Sequence, residues 1–149
     1  MNQELNTNNS DLSPFFQIKT QADLKKASAI LHDARFTADA IGFDVSAKTF
    51  TLKCWVFEYV QKSDGTSRHW KAYRLSFTGV AECKVTTLEK VSYYEIATIR
   101  FAEGDHMLDL VTHYGIQIRL QIGKLDGVLM ETDETREQGV NWGQIRIFN

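Results

Sequence analysis

The spacing of hydrophobic positions changes near residue 35. Leu24, Ala27, Leu31 and Ala34 recur at helical spacing and predict an amphipathic helix over about 21–33. Thr20 stands where an N-cap is wanted. Its hydroxyl can accept from a free backbone N–H, and Asp23 suits the positive end of the helix. After Arg35 the repeat falls to two. Phe36, Ala38 and Ala40 alternate with Thr37, Asp39 and Ile41, which predicts a strand, and Phe43-Asp44 with Ser46 to Lys48 supplies a polar break. A long strand at about 50–60 follows. Phe50, Leu52, Cys54 and Val56 share one face; Thr51, Lys53, Trp55, Phe57 and Tyr59 share the other.

The rest of the chain reads as β. Asp64-Gly65 between two strands is a hairpin signal, because glycine takes positive φ without steric cost. The return strand, about 69–79, puts Trp70, Ala72, Arg74 and Ser76 on one side, with Tyr73, Leu75 and Phe77 on the other; Gly79 marks a bend or bulge. Val80 to Thr87 places Ala81, Cys83 and Val85 in phase, and Tyr93 to Ala102 points Ala97, Ile99 and Phe101 inward. Turns at Glu103-Gly104-Asp105 and His113-Tyr114-Gly115 bracket a strand from Met107 to Thr112. Ile116, Ile118, Leu120 and Ile122 then alternate with polar residues. Val128 to Thr132 returns after Asp126-Gly127, Glu131 to Gln138 reads as a solvated loop, and Ile145 with Ile147 marks a final strand. One N-terminal helix and about eight or nine strands define a mainly β (α+β) class: a curled antiparallel sheet, barrel or sandwich.

Composition narrows the picture. Residues 1–12 have little to bury and are expected to form a disordered tail before a single β-rich domain over 13–149. A net charge of −2 and a pI near 6.1 argue against a nucleic-acid partner, which would need a concentrated basic face. No apolar run approaches the ~20 residues of a membrane span, and the N-terminus lacks the basic start and apolar core of a signal peptide. The expectation is a cytoplasmic protein without a membrane partner. Two cysteines, Cys54 and Cys83, are too few for a disulfide scaffold and sit at apolar-phase positions, so buried thiols are expected.

Candidate chemistry is sparse. The histidines are His32, His69, His106 and His113, with no HExxH or CxxC spacing, and His106 and His113 bracket one strand. No metal and no cofactor are expected. There is no nucleophile elbow and no glycine-rich phosphate loop, so no catalytic residue is assigned. An enzyme would need His32 with Asp33, or His106 with Asp109, converging in a cleft. In the run His32-Asp33-Ala34-Arg35, Asp33 is expected to pair with Arg35, tying the helix end to the sheet, with His32 near the negative helix terminus. The functional reading makes Arg35 an anchor for an anion or carboxylate. Trp55, Phe57, Tyr59, Trp70 and Tyr73 flank the hairpin and either pack the core or face a partner or ligand. The candidate binding set is His32, Arg35, Trp55, Tyr59, Trp70 and Tyr73.

The LHDARF opening, the FD-turn-TFTLKCW hairpin and the later YRLSFTGVAECKV, together about 31–85, resemble small bacterial β-rich proteins of uncharacterised function, some grouped with toxin-immunity proteins. The resemblance carries no catalytic residues and implies binding over catalysis. The function expected is a non-enzymatic protein-interaction module acting on a partner or by self-association. The alternative is a small-molecule-binding β barrel using the same aromatics with Arg35.

Overall fold

Ten strands pair antiparallel in the computed structural model, which describes residues 15–62 and 65–137. In chain order they are β1 (Phe15–Ile18), β2 (Arg35–Phe36), β3 (Ile41–Asp44), β4 (Thr49–Lys62), β5 (Gly65–Phe77), β6 (Val80–Thr87), β7 (Tyr94–Ala102), β8 (Met107–Thr112), β9 (Ile116–Ile122) and β10 (Gly127–Glu137). One α-helix, α1 (Gln21–Ile30), follows β1, and short 3-10 turns span Ala38–Ala40 and Glu103–Asp105. Laterally the order is β1-β10-β5-β4-β2-β7-β8-β9-β6, with β3 also paired to β4. The sheet curls until Val80, at the start of β6, donates its N–H to the Lys48 carbonyl at 2.9 Å, but it does not close into a barrel.

Why these residues fold this way is clearest in β4 and β5, whose register runs unbroken from Phe50↔Phe77 to Lys62↔Gly65. Directly opposed residues share a face, so Phe50, Leu52 and Cys54 meet Phe77, Leu75 and Tyr73 on the inner side. All of these but Tyr73, which packs against it, belong to the main apolar cluster with Ile116, Ile118, Leu120 and Ile122 of β9. Helix α1 starts with a capping box: the Asp23 N–H donates to the Thr20 hydroxyl, and the Asp23 carboxylate accepts from the Thr20 N–H. It buries Leu24 and Ala27, packing on β7 and β1.

Several expectations need correction. The helix ends at Ile30, three residues short of the reading, because Leu31 caps it and Asp33 turns with φ 67°. The alternation over 36–41 is not one strand. Arg35–Phe36 form a two-residue bridge, a 3-10 turn follows, and Ile41–Asp44, partly read as a break, pairs with β4. In β7 the register slips between Ile96 and Thr98, so Ile96 and Ile99 both point inward and Ala97 does not. The same kind of slip between Val80 and Glu82 buries Val80 and leaves Val85 exposed. Glu131 to Glu137 is strand rather than loop, held by pairing to β5, with Glu131 opposite Tyr73. Cys54 is buried as expected, whereas Cys83 is only half-buried; both are free thiols. The 1–12 tail, Asp64 and the strand read at Ile145 and Ile147 lie outside the described residues.

Candidate functional site

Among the described residues, two clusters of polar and aromatic side chains outside the main core hold candidate residues. The first lies on the outer face of β2, β4 and β5. Arg35 is the backbone partner of Trp55 on one side and of Glu95 on the other. Its Nε donates to Glu95 Oε2 at 3.0 Å, and its guanidinium lies 4.9 Å from the Trp70 ring centroid and 4.4 Å from that of Tyr93. Trp70 packs on Phe57 at 4.9 Å, and Lys53 Nζ sits 5.3 Å above Trp55. Trp70 retains 6% of its exposure, yet neither it nor the fully buried Ala72 belongs to the main core cluster. Trp55, Phe57 and Tyr93 remain half-buried.

This divides the candidate set. Arg35, Trp55 and Trp70 come together. Tyr73 does not join them: it is opposite Cys54 on the inner side, packed against the core, and burial pushes its hydroxyl pKa up, with the Glu131 charge adding to that. Beside it, Lys71 bridges Glu58 at 3.2 Å and Glu131 at 3.0 Å. The backbone of Tyr59 is in β4, but its side chain lies outside the described residues. Arg35 does not pair with Asp33; its carboxylate is Glu95, because the direct opposition of β2 and β7 holds the two together. Helix α1 lies on β7 and β1.

The second cluster is built on the β7 slip. There the Ala97 carbonyl accepts from His32 Nδ1 at 3.0 Å. Asp33 donates its N–H to the Ile96 carbonyl at 2.8 Å, and His113 donates its N–H to Glu95 at 3.0 Å. These bonds bring three segments together: His113 Nε2 lies 2.7 Å from Asp33 Oδ1, His32 Nε2 lies 3.6 Å from the same oxygen, and the two imidazoles meet edge-on at 5.8 Å. The side chains of all three stay exposed. An open groove of about 680 Å³ between α1 and β7, floored by Ala97, Thr98 and Ile99, reaches His32. The other histidine pairing considered does not form such a group. His106 hydrogen-bonds to the Gly123 carbonyl, while Asp109 is held by Arg119 at 2.7 Å.

Sequence reasoning missed Tyr93, Glu95 and His113 as members of these clusters. Tyr93 and Glu95 alternate outward on either side of buried Tyr94, a signal available in the pattern. His113 is about eighty residues from Asp33, and nothing local to either points to the other.

Residues 17–141 match the family model described as a protein of unknown function (DUF2948), and the chain belongs to that family. The match carries no link to immunity proteins. No curated protein and no solved structure matches the chain significantly. No described helix is long and apolar enough to cross a membrane.

Proposed function

We propose that this protein is a non-enzymatic binding module of the bacterial cytoplasm that engages a protein partner through the outer face of β4 and β5. The observation that carries the reading is the cluster of Arg35, Trp55, Phe57, Trp70 and Tyr93 on the face turned away from the core. Tryptophan, tyrosine and arginine are the residues that most often dominate interface energetics, especially when their conformations are fixed in advance. Here Glu95 and the two flanking rings fix Arg35, and Trp70 is locked by packing. Trp55 and Tyr93 keep the accessible area that a partner would bury.

The experiment is photocrosslinking in the native cell from a benzophenone amino acid at Trp55, followed by titration of the captured protein in purified form. W55A and Y93A are expected to weaken that interaction by roughly thirtyfold or more each, the loss typical of anchor residues. Capture of a second copy of the chain, with the same sensitivity, would make the partner the protein itself. A partner whose affinity is unchanged in both variants, or no reproducible crosslink, overturns the reading.

A further inference from the structure

We propose that His32, Asp33 and His113 form a binding site for a divalent first-row transition ion of the Zn²⁺ class. Their ligand atoms, one from each residue, lie within 4.8 Å of one another. A tetrahedral ion bound at ~2.1 Å would hold its ligands about 3.4 Å apart. The observed 2.7 Å and 3.6 Å separations to Asp33 Oδ1 bracket that spacing. Two imidazoles and one carboxylate form a mixed nitrogen and oxygen donor set. It suits zinc-like ions better than Ca²⁺ or Mg²⁺, which prefer oxygen throughout.

The surroundings carry the argument beyond proximity. A carbonyl oxygen can only accept, so the bond from His32 to Ala97 places the ring proton on Nδ1. In the neutral ring this leaves Nε2, the atom nearer Asp33, with a free lone pair. Metal-binding histidines are commonly oriented in this way, by donating the other ring N–H to a backbone carbonyl. The carbonyl comes from Ala97, the residue the β7–β8 register skips. Bulges often re-aim groups beside functional sites. Asp33 takes a left-handed conformation, φ 67°, that few residues tolerate and aspartate tolerates better than most. Its own N–H and that of His113 are both tied to β7, which fixes two of the three ligands at the backbone.

Ion binding replaces the hydrogen bond from His113 Nε2 to Asp33. The Nε2 proton leaves, a proton is held at Nδ1 instead, and the Nε2 lone pair turns to the metal. Three protein ligands leave a further position for water or a small anionic ligand, and the exposure of all three side chains keeps that position open to solvent.

The test is calorimetric titration of the metal-free full chain with Zn²⁺, repeated with Co²⁺ to read its ligand-field absorption. Saturation at one ion per chain is expected, with cobalt bands of nitrogen and oxygen ligation. D33N keeps a residue that accepts the left-handed turn and removes the charge, so it should fold like the parent and bind about tenfold or more weaker. H113A should lose binding to a similar or greater degree, and H106N should bind as the parent does. Absence of stoichiometric binding overturns the site, as does binding that survives unchanged in both D33N and H113A. A thermal melt of each variant separates lost ligation from lost folding.

Discussion

Arg35 and Glu95 face each other across β2 and β7 and join through their side chains at 3.0 Å, with the guanidinium also stacked near Trp70 and Tyr93. The planar, weakly hydrated guanidinium suits both roles at once; a lysine ammonium would keep the charge but lose the fork and the stacking. R35K is therefore expected to destabilise the protein by about 1 kcal/mol in urea unfolding. Parent-like stability in R35K would mean that stacking contributes nothing here.

Trp70 and Trp55 flank the same arginine but differ in burial, so truncation should separate them. W70A removes a nearly buried indole and should cost about 3 kcal/mol. W55A removes a half-buried side chain and should cost clearly less. Equal losses in chemical denaturation would contradict this division between a structural and an exposed aromatic.

Gly127 begins β10 where that strand is flanked by Ile18 of β1 and Phe77 of β5. A Cβ there would lie 2.6 Å from the Phe77 ring and 2.8 Å from the Ser76 carbonyl. G127A must therefore displace β10 or a core phenylalanine, and a loss of about 2 kcal/mol is expected. A parent-like melting temperature for G127A would show that the sheet yields there at little cost.

Burial pushes the Cys54 thiol up to about 12, and burial also raises that of the half-buried Cys83. Only the thiolate reacts readily, so Cys54 should resist thiol reagents in the native protein and react on unfolding. Slow native labelling should come from Cys83 and disappear in C83S. Native labelling of C83S at the parent rate would place Cys54 within reach of solvent.

Asp126 accepts hydrogen bonds from Lys19 and Thr78, fastening the segment after β1 to the β5–β6 turn. The Lys19 ammonium, first, and the Thr78 hydroxyl hold its pKa below the ordinary 3.8. A carboxylate depressed in the folded state contributes stability above its unfolded pKa and loses it as pH falls through the folded value. D126N should therefore be less stable than the parent at neutral pH, and the gap should shrink under acid. The effect is small because the side chain is 40% exposed. A gap independent of pH would assign the loss to packing instead.

Much of the fold is legible in the chain. The inward face of β9 and the two faces of β4 and β5 follow simple alternation, and the capping residues of α1 stand in the sequence. Two of the errors fall where one inserted residue resets the phase, at Ala97 and Ala81, because a period-two pattern has no way to signal a skipped partner. The site was legible only in halves. Trp55 and Trp70 share a face on either side of a recognisable hairpin, so their meeting follows from local pattern. Arg35 meets Glu95 through a two-residue strand, and Asp33 meets His113 through backbone bonds that tie both to β7; no local periodicity encodes either meeting.

The placement of β1 also bears on how the protein comes into being. Its register runs from Phe15↔Met130 to Ile18↔Gly127, so its hydrogen-bonding partner is made more than a hundred residues later. During synthesis the hairpins can zip as they leave the ribosome, while β1 waits for the chain's last described strand. β1 can therefore pair only once β10 has been made, and a translation product that stops before residue 127 leaves β1 without its strand partner.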